Sequence, residues 1–497
     1  MSDHLYLTTA IPFVNGSPHL GHALEYVQTD VLARHARARG RAVRFLTGTD
    51  EHAAKNVQAA RAAGEDVTGF VARHAAGFRA PADMLDVSYD DFLRTSADRR
   101  HRPAVEAIWR QCATAGDLYR KRYAGWYCGG CEQFYDPETL PAGRCTEHDA
   151  PLDRVEEANW FFRLSRYRNT LAQVIGDGRL RIEPEARRNE VLGFLAGPVR
   201  DVSVSRPRTR VHGWGVPVPG DPDQVVYVWF DALTNYVSAL GYGDAQRPDY
   251  RQWWLDSDDR THVIGKGIVR FHGVIWPAML CSAAQPLPTA LFVHDYVTVD
   301  GRKIGKSLAN AVDPSALCDR YGVDALRWWL CREIPRVGEA DFCAERLVTS
   351  CDRDLANGVG NLVQRTVTLA ARVYGRDGIT AGPTCELTAT GDATRARIGA
   401  ALAEFDLRGA SQALVSLVDA ANRSLDATRP WELLRDAGHL DGARAALAGL
   451  VGAVRVIGAE LEPFVPALAA RVRARIGVAG APVVPDLRSS LGSNLDM

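Results

Sequence analysis

Apolar residues first alternate along residues 4–11, which predicts a first strand. A loop rich in Pro, Gly and Asn follows from Pro12 to Pro18. Helical spacing then runs from about His19 to Gly40, and Ala42–Leu46 reads as a second short strand. Strand, loop, helix and strand in this order open a nucleotide-binding α/β domain. Residues 115–215 break the rhythm with many Pro, Gly and Arg, and read as an insertion. Val225–Phe230, Thr261–Ile264 and Leu291–Val299 restore buried-strand character. From about residue 325 the pattern is helical, and Leu414, Leu417, Val418, Ala421 and Leu425 fall on one helix face. The expected fold class is α/β, a Rossmann-type catalytic domain with an insertion, followed by an all-α helical bundle. Its expected divisions are 1–114, the insertion 115–215, 216–325, a helical region 326–485 and a polar tail 486–497.

Composition narrows the function classes. At 497 residues, 46% hydrophobic and 24% charged, the chain has room for several cores, and disordered, collagenous or membrane-spanning classes are excluded. Net charge is −1, so any nucleic acid must be met by local patches. Basic charge is written almost wholly as Arg; the lysines are Lys55, Lys121, Lys266, Lys303 and Lys306. The first residues lack a basic region before a long apolar one, so no signal peptide is expected. Scattered cysteines point to reduced thiols in the cytoplasm. The exception is Cys128-Gly-Gly-Cys131 followed by Cys145-Thr-Glu-His148, whose spacing suits a tetrahedral structural Zn²⁺ site.

Two further motifs carry chemistry. Pro18-His19-Leu20-Gly21-His22 sits where a loop enters a helix. A helix N-terminus favours anions, Gly21 lets a flat base approach the backbone, and two imidazoles can donate to one phosphate. Gly301-Arg302-Lys303-Ile304-Gly305-Lys306-Ser307 follows a predicted strand. It is not a P-loop, because the position that needs glycine is Asp300. It instead places two compact ammonium groups on a short turn, suited to a leaving pyrophosphate.

HLGH paired with KIGKS resembles the signature pair of class I aminoacyl-tRNA synthetases. The chain most closely resembles the methionyl-tRNA synthetase family. The matching stretches are AIPFVNGSPHLGHALEYVQTD (10–30), FLTGTDEH (45–52), YCGGCEQFY (127–135), YVWFDALTNYVSAL (227–240), IGKGIVRFHGVIWPAML (264–280), VDGRKIGKSLANAVDP (299–314), GNLVQRT (360–366) and RPWELL (429–434). The resemblance implies activation of L-methionine with ATP, accompanied by Mg²⁺, and transfer to tRNA(Met). His19, His22, Lys303 and Lys306 are then catalytic. ATP contacts map to Gly21, His22, Gly265, Lys266, Val297, Lys303, Lys306 and Ser307. The methionine pocket maps to Ile11, Phe13, Asp50, Trp229, Ala232, Leu233, Tyr236, Ile268, His272 and Trp276. Asp50 suits the substrate ammonium, and the aromatic set suits a polarizable thioether. Asn361, Arg365 and Trp431 match anticodon-reading positions, and an amide, a guanidinium and an indole suit unstacked bases. The expected state is a monomer with no membrane association.

Four positions depart from the family pattern: Gly267 where Asp is usual, Ile304 and Gly305 within the lysine loop, and Asp295 where Gly is usual. All lie in stretches assigned to ATP. They fit a housekeeping enzyme with a compensated ATP site, or a second copy serving inhibitor resistance or another use of methionyl-tRNA. A catalytically impaired tRNA-binding relative is the alternative from a different class.

Overall fold

The computed structural model describes residues 3–128, 133–135, 144–145, 151–244, 246–304, 310–374 and 386–477. The chain forms two units, which interleave in sequence. One comprises residues 1–18, 40–80 and 88–294; the other comprises 19–39, 81–87 and 295–497.

The first unit is built on a six-stranded sheet. Its strands are β1 (His4–Thr9), β2 (Ala42–Thr49), β3 (Asp91–Arg94), β4 (Arg181–Glu183), β5 (Arg260–Gly265) and β6 (Ala290–His294), in the spatial order β3-β2-β1-β5-β6-β4. Every pairing is parallel. Parallel strands are covered on both faces, and β1, β2, β5 and β6 were visible in sequence by the short apolar runs Leu5–Leu7, Phe45-Leu46, Val263-Ile264 and Leu291–Val293. The order reverses between β1 and β5. In open α/β sheets, ligands bind beyond the strand carboxyl ends at such a reversal. The segments leaving that edge are Ala10–Phe13, Asp50–His52 and Lys266–His272. Parallel packing is tight here: a Cβ on Gly48 of β2 would lie 2.1 Å from the Leu93 carbonyl oxygen.

The expected insertion carries a four-stranded sheet. Leu118–Cys128 and Asp153–Phe162 pair antiparallel from Leu118↔Phe162 to Tyr127↔Asp153, flanked by Gln133–Tyr135 and Val202–Ser203. The expected strand Val225–Phe230 is not one strand. Asp221–Val226 is a strand in a small antiparallel sheet, and Val228–Leu233 turns into a helix that buries Phe230, Ala232 and Leu233. Phe271–Ile275 is a π-helical turn, closed by the Trp276 N–H donating to the Phe271 carbonyl. An α-helix, Trp276–Ser282, continues from it.

The second unit begins with the helix Leu20–Ala38. The expected strand Leu291–Val299 divides at His294-Asp295-Tyr296. Val297–Val299 belongs to a three-stranded sheet with Arg302–Lys303 and Ala340–Asp341. The rest is helical, with long helices Asn361–Tyr374, Glu386–Ala403, Leu407–Thr428 and Leu440–Glu460. The stripe Leu414, Leu417, Val418, Ala421 and Leu425 is buried, as its spacing requires. Leu440–Glu460 is the one described helix long and apolar enough to cross a membrane. It packs instead against the other three long helices and buries Leu447, Leu450, Val454 and Ile457.

A buried charge organises this unit. The Arg327 side chain is fully buried and donates to the carbonyls of Leu85, Pro463 and Phe464, at 2.8–2.9 Å, and to Asp30 Oδ2 at 2.7 Å. Asp30 also accepts from Arg34 Nε at 2.8 Å. The guanidinium fork matches this four-way demand, which a lysine ammonium could not.

Candidate functional site

Ten residues were expected to line an amino-acid pocket, and all lie in the first unit. The loop leaving β1 carries Ile11 and Phe13, and Phe13 pairs with Asp50 across an isolated parallel bridge. The Asp50 N–H donates to the Pro12 carbonyl at 2.9 Å, and Asn56 Nδ2 donates to the Asp50 carbonyl at 3.2 Å. Backbone fixation thus sets the buried Asp50 carboxylate at the end of β2. The next residue faces inward. Glu51 accepts from Arg94 at 2.7 and 3.2 Å, from Thr49 at 2.9 Å and from Ser96. The Trp214 indole donates to the Glu51 carbonyl at 2.7 Å.

The pocket wall is aromatic. Trp229 stacks on Phe271 with centroids 3.7 Å apart and planes 12° apart, and Phe13 meets Trp229 edge-on at 5.8 Å. Lys55 Nζ lies 3.5 Å from the Phe13 centroid, a cation–π contact that gives this lysine a place. Ala232 and Leu233 lie buried on the same helix as Trp229. Ile268 is half-buried against the core.

Hydrogen bonds fix the tautomers at the pocket floor. His272 Nδ1 is 3.0 Å from the Ile268 carbonyl, which can only accept, so Nδ1 carries the proton. Its Nε2 therefore accepts from the Tyr236 hydroxyl at 2.7 Å. Behind it, the Trp276 indole donates to His262 Nε2 at 3.3 Å, and His262 Nδ1 then donates to Thr8 Oγ1 at 2.7 Å. Both imidazoles are neutral. Burial pushes His272 down to about 4 and holds His262 well below the ordinary histidine range. Tyr6 donates to the Tyr236 carbonyl at 2.7 Å and pins that turn. The floor is polar but uncharged, which suits an uncharged polarizable side chain.

Sequence reasoning missed a network beside these residues. His52 Nδ1 is 2.6 Å from Asp231 Oδ2, and His101 Nε2 is 2.7 Å from Asp231 Oδ1. Burial raises the cost of charging Asp231, but the two imidazole donors outweigh it and hold the carboxyl far below the usual carboxylate range. The three groups have ligand character, yet their spacing is that of hydrogen bonds; ligand atoms on one tetrahedral zinc stand roughly 3.3 Å apart. His52 is two residues from Asp50, and Asp231 is two residues from Trp229. The network therefore ties the segment that carries Asp50 to the helix that carries Trp229. The signal was present: His52 and Asp231 lie inside quoted stretches, FLTGTDEH and YVWFDALTNYVSAL.

In the second unit, His19 caps the helix Leu20–Ala38. Its Nδ1 accepts from the Gly21 N–H at 3.1 Å, while His22 Nδ1 accepts from the His19 N–H at 3.0 Å. Each ring spends Nδ1 as an acceptor, so each neutral ring carries its proton on Nε2, where it can donate to an anion. Gly21 has a second reason to be glycine, since a Cβ there would lie 3.0 Å from the His19 ring. Lys303 Nζ lies 4.3 Å from the Tyr296 centroid, on a hairpin whose Gly301 N–H donates to Asp341 Oδ1 at 2.8 Å. Val297 lies in the neighbouring strand. Asp295 is buried and accepts from the Gly338 N–H at 2.7 Å. Lys306 and Ser307 lie outside the described residues. In the first unit, Gly265 ends β5 and Lys266 opens a 3₁₀ turn that also holds Gly267.

Two of the three expected anticodon residues meet. The Arg365 guanidinium lies 5.2 Å from the Trp431 ring centroid, and its NH2 is 2.7 Å from Asp426 Oδ1. Trp431 is presented by Arg429, whose φ of 42° and ψ of 53° end one helix and start Pro430–Leu433. A left-handed non-glycine residue before proline is strained, and such strain concentrates at working sites. Asn361 opens the helix that carries Arg365.

The expected zinc ligands are partly described. Cys128 and Cys145 are buried in one cluster with Leu152. Cys131 and His148 lie outside the described residues.

Comparison with known proteins supplies the family. The family model for class I tRNA synthetases (M) matches residues 5–156 and 131–367. Methionine–tRNA ligase of Rhizobium meliloti is 40% identical over 478 residues, covering 94% of this chain and 90% of the relative. That of Caldanaerobacter subterraneus subsp. tengcongensis is 37% identical over 484 residues, covering 96% and 74%. The solved Mycobacterium tuberculosis methionyl-tRNA synthetase in complex with methionyl-adenylate superposes with a TM-score of 0.90 at 36% identity, covering 98% of this chain and 96% of that one. The chain belongs to the methionyl-tRNA synthetase family of class I aminoacyl-tRNA synthetases.

Proposed function

We propose that the chain activates L-methionine with ATP and transfers the methionyl group to the 3′-terminal ribose of tRNA(Met). In the first step a methionine carboxylate oxygen attacks the α-phosphorus. The bond to the pyrophosphate oxygen breaks, giving methionyl-adenylate. The tRNA hydroxyl then attacks the activated carbonyl, and AMP leaves. Neither step needs a side-chain nucleophile, so the protein's work is positioning and charge stabilisation.

The observation that carries this reading is the pocket itself. It sets one buried carboxylate, Asp50, against an aromatic wall of Phe13, Trp229 and Phe271 over an uncharged Tyr236–His272 floor. An ammonium and an uncharged thioether side chain suit such a pocket, and the methionine carboxylate is left free to meet the ATP. His19 and His22 donate from Nε2 to the α-phosphate, and Lys303 and Lys306 hold the departing pyrophosphate. Gly21, Gly265, Lys266, Val297 and Ser307 complete the ATP contacts. Arg365, Trp431 and Asn361 read the anticodon.

The metal assignments follow the donor sets. Cys128 and Cys145 fit a zinc site, because both sulfurs are buried together; with Cys131 and His148 they would hold one structural Zn²⁺. Magnesium would arrive with ATP. The ATP-contact residues offer ammonium and N–H donors, so phosphate oxygens and water would supply most of its ligands. The protein acts in the cytoplasm as a monomer.

Methionine-dependent ATP–pyrophosphate exchange with the purified protein is the test. Exchange that appears with methionine and is absent without it supports the reading. No exchange at saturating ATP eliminates it.

A further inference from the structure

Asp300, the residue that bars a P-loop, opens a tight turn. Asp300 and Gly301 both take positive φ, 55° and 67°, and join Val297–Val299 to Arg302–Lys303. Two left-handed residues between antiparallel strands are the turn of a two-residue hairpin, which Asp-Gly suits. The register is Val299↔Arg302 and Thr298↔Lys303. Lys303 therefore lies directly across from Thr298 and shares its face of the sheet. Tyr296, two residues before Thr298, meets Lys303 Nζ at 4.3 Å from its ring centroid, as one shared face requires.

The third strand holds this hairpin from the other side. Ala340–Asp341 runs parallel to Val297–Val299, with Asp341 opposite Thr298. Asp341 Oδ1 accepts from the Thr298 hydroxyl at 2.7 Å and from the Gly301 N–H at 2.8 Å. One oxygen thus grips both the central strand and the turn. The Gly301 N–H first, and then the Thr298 hydroxyl, hold this carboxyl below the usual carboxylate range. Lys303 is also fastened at its own carbonyl, which accepts from Asn310 Nδ2 at 3.2 Å. Two residues further on, the Val312 carbonyl accepts from the Leu20 N–H at 3.1 Å. Leu20 follows His19, so the lysine strand and the histidine cap are tied to one short segment, 310–312.

We propose that Asp341 is a positioning residue for Lys303. Its carboxylate fixes the hairpin so that the ammonium meets the departing pyrophosphate while His19 and His22 meet the α-phosphate. It acts through Lys303 and not on the substrate. The inference rests on the proposed function, since that reaction supplies the pyrophosphate.

The test uses the full chain and the variants Asp341→Ala, Asp341→Asn, Lys303→Ala and the double variant Asp341→Ala/Lys303→Ala. Asp341→Ala should lower kcat of methionine-dependent pyrophosphate exchange roughly 10- to 100-fold, the scale of a misplaced rather than a missing donor, with KM for methionine unchanged. Asp341→Asn keeps Oδ1 as the acceptor of both bonds and should restore exchange to within about threefold of the parent. Transfer to tRNA(Met) from supplied methionyl-adenylate releases no pyrophosphate, so Asp341→Ala should leave its rate unchanged. The double variant should exchange no more slowly than Lys303→Ala alone, because residues acting as a unit are not additive. The proposal is overturned by Asp341→Ala exchange equal to the parent, by transfer that falls in step with exchange, or by an Asn variant as slow as the Ala variant. Losses that multiply in the double variant also overturn it. A parent without exchange would sink the proposed reaction, and calorimetry with inorganic pyrophosphate then decides the role of Asp341. Weaker binding in Asp341→Ala, restored in Asp341→Asn, supports it; no binding by the parent, or equal binding by all three, overturns it.

Discussion

Acid should destabilise the first unit through His272. Its imidazole is fully buried, donates to the Ile268 carbonyl and accepts from Tyr236, and burial lowers it to about 4. An unfolded histidine titrates near 6.5. Between those values the unfolded chain binds the proton and the folded chain does not. Stability is therefore complete above about pH 6.5 and is lost as pH falls toward 4. At about pH 5 the two values give a loss of about 2 kcal/mol relative to pH 7.5. His262, lowered in the same direction by burial, adds to it. The assay is urea unfolding followed by tryptophan fluorescence at pH 7.5 and 5, on the parent and on His272→Gln. The amide keeps a donor and an acceptor but cannot titrate. The variant should lose about 2 kcal/mol less than the parent over this interval. Parallel losses in the two proteins would refute the reasoning.

Three further outcomes follow from other sites. Asp231→Asn should raise KM for methionine about tenfold while leaving KM for ATP unchanged, because the amide supplies one acceptor where two imidazole donors need one each; steady-state exchange kinetics measure the split. Arg327→Met should cost about 3–5 kcal/mol in chemical denaturation, since Asp30 and three carbonyls lose their buried donor. Trp431→Ala should raise KM for tRNA by roughly 5- to 150-fold, the effect of one lost stack, with KM for methionine unchanged in aminoacylation assays.

What the sequence disclosed depended on the range of the interactions. Strands β1, β2, β5 and β6 are legible because each carries a short buried apolar run: Leu5–Leu7, Phe45-Leu46, Val263-Ile264 and Leu291–Val293. β4 is not, because it is a three-residue edge strand, Arg181-Ile182-Glu183, with only its central residue buried. Val225–Phe230 reads as one strand because its apolar residues serve a strand end and then a helix, and composition alone cannot distinguish the two. The pocket residues are legible only through resemblance; without it a cluster of Trp, Phe and Tyr reads as core. His101 is invisible by any local rule, since its partner Asp231 is 130 positions away. The same holds for Arg327, one arginine among many, whose burial follows from contacts 136 to 297 residues distant.

The π-helical turn at Phe271–Ile275 bears on how this pocket can change. One surplus residue shifts the phase of everything downstream by about 100° relative to an uninterrupted α-helix. Phe271 on Trp229 and His272 under Tyr236 are adjacent residues that both serve the pocket. Deleting a single residue from the turn would restore ordinary helical hydrogen bonding while rotating Trp276 away from His262. Such a deletion exchanges recognition for regularity. Insertions and deletions, more than side-chain replacements, are therefore the steps by which this pocket would be gained or erased.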